Sequence, residues 1–224
     1  MKALLLLVAC LASAALPAYA ATKLPPPFED LVQVRSPQLG AVYLLPGADF
    51  REYTKVMIDP VEVSFRKGWL KNQDSMSGGA TISQADAEKI AKAARDGFQE
   101  ILVAAFKDKG YQVVTAPGAD VLRLSPAVAN LYISAPDPAA SMPGVVSFTV
   151  GAGEAELVLA ARDSTTGAML GLALDRREAQ QAGSALATSV GNRSAFESLF
   201  KSWAYICVKG LDKLKAASPI KKGR

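Results

Sequence analysis

Residues 154–178 constrain the fold more than any other stretch. They read Glu-Ala-Glu-Leu-Val-Leu-Ala-Ala-Arg, then Asp-Ser-Thr-Thr-Gly, then Ala-Met-Leu-Gly-Leu-Ala-Leu-Asp-Arg-Arg-Glu. Side chains of a strand alternate faces with period two. Ala155, Leu157, Leu159 and Ala161 therefore share one face of the first arm, and Ala168, Leu170, Leu172 and Leu174 share one face of the second. A loop of four residues, Asp163 to Thr166, pairs Arg162 with Gly167, Ala161 with Ala168, Leu159 with Leu170, Leu157 with Leu172 and Ala155 with Leu174. In that register both apolar faces fall on one side, the side expected to carry helices. A change of one residue would turn one arm's leucines over, unless a β-bulge restored the phase. Asp, Ser and Thr are turn formers, and Gly167 supplies a positive φ. A hairpin with one apolar face needs a covering layer, so the rest of the chain must supply it.

Two helices are available. Ser83-Gln-Ala-Asp86 is close to a capping box, with Ser83 as N-cap and Ile82 placed for a hydrophobic staple. Ala87, Ile90, Ala94, Phe98, Ile101, Leu102 and Ala105 follow at three- and four-residue steps, and Gly110 is the expected left-handed stop. The second helix starts at the capping box Ser194-Ala-Phe-Glu197. It carries the best apolar stripe of the chain: Phe196, Leu199, Phe200, Trp203, Cys207, Gly210, Leu211 and Leu214. Cys207 on that stripe reads as a small buried apolar residue, because free Cys is among the most buried types.

The other strands are shorter. Residues 40–47 form a strand closed by a turn. Lys55 to Phe65 is a strand whose apolar phase slips by one residue at Asp59-Pro60, which predicts a bulge. Tyr111 to Thr115, Asp120 to Ser134 (bent near Ser125-Pro126) and Val145 to Val150 complete the set. Residues 66–80 show no period and read as a long loop anchored by Trp69, and 180–191 read as a polar connection. The expected fold is α+β: a mostly antiparallel sheet with two long helices packed on one face, a two-layer sandwich. The expected organisation is a signal peptide over 1–20, a linker over 21–40 containing Pro25-Pro26-Pro27, one domain over 41–216 and a basic tail over 217–224.

The amino terminus predicts export. Lys2 precedes an apolar run to Leu16, Pro17 breaks it, and Ala18-Tyr19-Ala20 fits a small-x-small cleavage site. A competing lipobox, Leu7-Val8-Ala9-Cys10, would make Cys10 a lipidated first residue. Its apolar core, Ala3 to Ala9, is seven residues long, at the lower bound, and the chain stays apolar after Cys10. The apolar run is also too short for a transmembrane helix, so no span is expected after signal removal. A periplasmic or secreted location is expected, with an outer-membrane lipoprotein as the alternative.

Composition removes several chemistries. There is no histidine, and once Cys10 is gone only Cys207 remains. Ser-His-Asp and Cys-His catalysis, histidine metal sites and internal disulfides are therefore excluded. Removing Lys2 lowers the net charge from +4 to +3, and Lys213, Lys215, Lys221, Lys222 and Arg224 concentrate it at the end. Such a tail is a solvated terminus or a weak contact for an anionic surface. No basic stripe interleaved with aromatics runs elsewhere, so nucleic acid is not an expected partner. Asn192-Arg-Ser194 matches the glycosylation triplet, a weak pattern by itself.

The order of elements and several local motifs resemble a family of bacterial envelope proteins, many of them classed as lipoproteins, called domain of unknown function 3313. The resemblance rests on Tyr43 to Asp49 ahead of Tyr53, Val56 to Val63 and Gly118-Ala-Asp-Val-Leu122. It rests also on Arg162-Asp-Ser-Thr-Thr-Gly167 with Asp175-Arg176-Arg177, and on Phe200 to Ala204. The family has no assigned activity or catalytic residues, so the resemblance implies none here. The reading is an exported, non-catalytic envelope protein that binds another envelope component, with no cofactor. Trp69 with Asn72, Gln73 and Asp74 is the binding candidate, set against Trp69 as a packing residue. The alternatives are a cell-wall glycan hydrolase working through acids such as Asp59, Glu62, Asp74 or Asp120, which needs a carboxyl with a raised pKa, and a carrier of an apolar ligand, which needs an internal cavity.

Overall fold

The computed structural model describes residues 28–76, 82–134, 148–186 and 189–221, the side chains of 73–76, 148–151 and 181–191 excepted. The expected signal peptide, Cys10 and the tail residues Lys222 and Arg224 lie outside the described residues. In chain order the elements are β1 (Val32–Val34), β2 (Ala41–Leu44), β3 (Lys55–Ile58), β4 (Glu62–Phe65), α1 (Trp69–Met76), α2 (Gln84–Asp108), β5 (Gln112–Val113), β6 (Val121–Ile133), β7 (Phe148–Asp163), β8 (Met169–Leu186) and α3 (Ser189–Ala217). The strands form one open sheet in the order β1-β2-β8-β7-β6-β3-β5, with β4 also on β6. Pairings from β1 through β6 are antiparallel, whereas β3 and β4 run parallel to β6, and β5 parallel to β3. This is the expected α+β sandwich with two long helices on one face.

The hairpin is present, but its expected register is not. Asp163 and Ala168 close a loop of four residues, one position later than expected: Asp163 N–H donates to the Ala168 carbonyl at 3.0 Å, and Gly167 N–H to Asp163 at 2.9 Å. That displacement alone preserves the face. The pairs then run from Arg162 with Met169 to Ala161 with Gly171, so Leu170 is one extra residue in β8. This bulge reverses the phase of the rest of β8. Leu159 pairs with Ala173 and Leu157 with Asp175, instead of Leu170 and Leu172. Leu157 and Leu159 reach the helices, as expected, and so does Leu170. Leu172 points to the opposite face, where it is buried with Leu31 and Ala160, and Leu174 packs against that cluster with Phe28 and Tyr43. The second apolar face is tolerated because the chain before β1 packs against it through Phe28 and Leu31. The stretch read as a linker therefore contains a strand and a buried leucine.

The phase slip at Asp59-Pro60 is structural. Ile58 pairs with Leu124 and Glu62 with Ala127, so four steps on one strand match three on β6. The inserted residue separates β3 from β4, and Pro126 of β6 falls opposite this interruption. A proline that cannot donate to the ladder is accommodated where the ladder is already broken. Gly153 has φ +145°, and a Cβ there would overlap the Tyr132 carbonyl oxygen. Only glycine permits β6 and β7 to approach so closely at that point.

α2 follows the sequence. Ser83 caps it, its hydroxyl accepting from the Asp86 N–H while Asp86 accepts from the Ser83 N–H, and Gly110 has φ +88°. α3 does not. It begins at Ser189, so Ser194 lies inside the helix with its carbonyl accepting from the Ser198 hydroxyl at 2.9 Å. Of the expected 180–191 connection, residues 180–186 end β8 and 189–191 start α3: a polar segment is held in a strand because β7 offers it a ladder, Phe148 opposite Leu186. The long loop after Phe65 contains a short helix, α1. The expected stripe of α3 is buried, Gly210 and Leu214 only partly, and Phe98 of α2 meets Phe200 and Trp203 at ring-centroid distances of 5.0 and 6.1 Å. The end of α3 is not frayed: Ile220 is buried and exchanges two 2.8 Å backbone hydrogen bonds with Gly47 and Ala48.

Candidate functional site

The sheet, α3 and the segment 35–39 line a half-open cavity of about 210 Å³. Its walls are aliphatic and aromatic: Leu44 and Phe50 from the first part of the chain, Leu122, Leu124 and Leu159 from the sheet, Phe106 from α2, and Ile206, Cys207 and Leu211 from α3. Space is left because small residues occupy positions where the surrounding pattern has large ones. Ala173 interrupts the leucines of β8, and Gly210 breaks the run of large residues in the α3 stripe. A Cβ on Gly210 would meet nothing within 4 Å. Two larger hollows, about 580 and 520 Å³, lie between α2 and α3 and have charged residues such as Arg193, Glu197, Lys201 and Lys209 among their walls. The smaller cavity is the candidate site, because its wall is the most apolar of the three and joins β2, β6, β7 and β8 to α2 and α3.

Segment 35–39 crosses the cavity as a strap, and a buried carboxylate holds it. Asp175 is on the helix face of β8, opposite Leu157. Its Oδ1 accepts from Gly40 N–H at 3.0 Å, and its Oδ2 accepts from Arg177 Nε at 2.6 Å and Trp203 Nε1 at 2.8 Å. Arg177 also donates to the Gln38 carbonyl at 2.6 Å and the Ser202 hydroxyl at 3.1 Å. Lys213 donates to Gln38 Oε1 at 3.1 Å, and Leu39 N–H to the Ser36 hydroxyl at 3.2 Å. A buried carboxylate is stable only when paired and hydrogen-bonded. Here that requirement is met by strand, helix and strap together. The Cys207 thiol is pushed up to about 12, chiefly by burial and then by the nearby Asp175 charge. It is a neutral wall group of the cavity, not a nucleophile.

The residues singled out from sequence do not converge on this cavity. Trp69 begins α1 and is fully buried, its ring stacked on Phe65 at 4.3 Å and its Nε1 donating to the Ile133 carbonyl at 3.1 Å. No face of the indole is open to a ligand. Asn72 is an exposed residue of α1, and the side chains of Gln73 and Asp74 are outside the described residues. Of the acids, Asp59 accepts from Arg123 and Ser125, Glu62 is exposed, and Asp120 accepts from Thr54 at 2.9 Å and pairs with Lys55 at 3.1 Å. Those bonds, Thr54's first, lower the Asp120 pKa. Asp49, Asp86, Asp120, Asp163 and Glu197 all have their pKa displaced downward. A general acid needs the opposite displacement. The described residues hold no cluster fit for a metal, and no described helix is long and apolar enough to cross a membrane. Of the tail cations, Lys213 reaches the strap and Lys215 donates to the Tyr53 carbonyl at 3.0 Å, leaving Lys221 exposed.

Fold and site thus define an α+β sandwich with a small apolar cavity under a strapped segment. The chain belongs to the family described as protein of unknown function (DUF3313), whose model matches residues 23–205. No curated protein matches it. Solved structures similar to it include a Xanthomonas campestris protein of family DUF330, 12% identical, covering 77% of this chain and 90% of that one, with a TM-score of 0.45. A PelC dodecamer from Paraburkholderia phytofirmans is 15% identical over 77% and 98% of the two chains, with a TM-score of 0.37. A neuraminyllactose-binding hemagglutinin homolog from Helicobacter pylori is 12% identical over 77% and 92%, with a TM-score of 0.33. At these identities and scores none of them bears on what this chain does.

Proposed function

We propose that this chain is an exported, non-catalytic protein of the bacterial envelope that works by binding an apolar group of another envelope component in the strapped cavity. The observation that carries this reading is the cavity itself: a preformed hollow walled by aliphatic side chains, in a domain where hydrogen bonds hold Asp120 and Asp163 in their charged form. Preformed, mostly apolar concavities with a few polar groups at the edge are the usual form of ligand sites. Export is supported by the leader, Lys2 with the apolar run to Leu16 and Ala18-Tyr19-Ala20. The test has two arms. The full-length gene product, expressed in a Gram-negative host, is fractionated, and its amino terminus is read by mass spectrometry. A chain starting at Ala21 in the soluble periplasmic fraction is expected. Acylated Cys10 would replace soluble export by a lipoprotein, and an intact Met1 in the cytosol would refute export. In the second arm a photo-crosslinking residue at Pro37, on the cavity rim, is activated in intact cells. Capture of an envelope component, lost when the cavity is filled, is expected; capture unaffected by filling would refute the cavity as the site.

A further inference from the structure

We infer that the cavity takes the tail of a single-chain anionic amphiphile, about eight carbons deep, with the anionic head between Arg35 and Lys213. This rests on the reading of the cavity as the binding site and adds the chemistry of what enters it.

Three features support the assignment. The first is size. An apolar cavity of ~150 Å³ stays dry and binds the six carbons of benzene. At about 210 Å³ this cavity has room for roughly eight carbons on that scale. The second is the wall. Leu44, Leu124, Leu159, Phe106 and Leu211 offer no hydrogen-bonding group, and the Cys207 thiol is held neutral. A ligand polar along its length would lose its water there without compensation. The third is the rim. Arg35 and Lys213 are exposed, and both line the cavity. Neither has a carboxylate within ion-pair distance among the described residues; Lys213 contacts only the neutral amide oxygen of Gln38. Asp175, near enough to act on the Cys207 thiol, is already saturated by Arg177, Trp203 and Gly40, and Asp212 accepts from the Tyr111 hydroxyl. The cavity therefore opens beside two uncompensated positive charges, which an anionic head would neutralise at the edge of an apolar site.

The experiment uses octanoate, 1-octanol and eight-carbon lysophosphatidylglycerol, titrated calorimetrically into the purified protein. The rate of Cys207 labelling by a small maleimide serves as a second readout. Octanoate should bind one per chain and slow labelling. Gly210→Leu places a side chain in the empty space and should abolish binding of all three, with unchanged or raised Tm. Ala173→Leu is the independent filling variant. Arg35→Glu/Lys213→Glu should weaken octanoate at least tenfold and leave 1-octanol within twofold. The lysolipid separates a lipid source from a free acid: binding as tight as octanoate or tighter supports the anionic-amphiphile class with a phosphate head, and weaker binding supports it with a carboxylate. Equal affinity for octanoate and 1-octanol in the native protein would overturn the anionic head while leaving the cavity as a site. Absence of any binding, or binding unchanged in both filling variants, would overturn the cavity reading as well.

Discussion

Asp175→Ala tests the claim that one buried carboxylate ties strand, helix and strap. The Asp175 side chain is 7% exposed, and its partner Arg177 is 32% exposed. Removing the carboxylate leaves three donors without their acceptor: the Arg177 guanidinium, Trp203 Nε1 and Gly40 N–H. Breaking a buried ion pair from one side typically costs about 3–5 kcal/mol. Arg177 retains the Gln38 carbonyl and some access to water, which places its share at the low end. The buried indole N–H adds about 1–3 kcal/mol if it finds no new acceptor. A loss of about 3–5 kcal/mol is therefore expected, or a fall in Tm of roughly 6–20 °C for a chain of this size. Urea unfolding followed by tryptophan fluorescence measures it. Hydrogen exchange should show Gly40 N–H exposed at the same time. The paired change Asp175→Leu/Arg177→Met should recover much of the loss, since β8 packs Asp175 opposite Leu157 in an otherwise apolar layer and apolar replacements of buried ion pairs are often tolerated. A loss below ~1 kcal/mol for Asp175→Ala, with Gly40 still protected, would show that the strap is held by something else.

The two faces of the hairpin predict unequal costs. Leu157→Ala, in the main core under the helices, should lose about 2–5 kcal/mol, and Leu172→Ala, in the small cluster on the other face, should lose less; urea midpoints that reverse this order would refute the bulge at Leu170. The thiol of Cys207 should react slowly with maleimide in the native protein and fast after denaturation. Its folded pKa is raised, so the unfolded chain gives up the proton first; the stabilisation is complete below about pH 9 and is lost as pH rises from there to about 12. Tyr53 and Tyr111, both raised by burial and then by Asp163 and Asp212, act in the same direction. A pH titration of the urea midpoint should fall across this range, less steeply in Cys207→Ala; a curve unchanged by the substitution would place the thiol outside the core.

Several features were legible in the chain because they depend on neighbours a few residues away. The cap of α2 at Ser83, the buried stripe from Phe196 to Leu211, the four-residue turn and the slip at Asp59-Pro60 all follow from local spacing. α1 was not legible: eight polar and apolar residues without a period carry no helical signal, and the helix is held by Trp69, which is anchored on Phe65 and Ile133. The capping box at Ser194 was a false start, since α3 already begins at Ser189.

The sequence by itself determined the class of fold, the two long helices, the existence of the hairpin and the absence of histidine chemistry. Tertiary structure alone decided which way the leucines of β8 point. Leu170 belongs to an unbroken alternation, and only the competition between the loop at Asp163–Ala168 and the pairing of β2 on β8 makes it the extra residue. Tertiary structure likewise decided the site. Ala173 is an unremarked small residue along the chain, and with Gly210 and Cys207 of the α3 stripe it lines a cavity because elements distant in sequence hold them around one space. Asp175 reads as the polar end of a strand, yet it is buried because Gly40, Arg177 and Trp203 converge on it from three separate parts of the chain. Local periodicity specifies what a segment is; a register or a buried charge also depends on distant partners, such as β2 on β8 or Gly40, 135 residues from Asp175, which no local window contains.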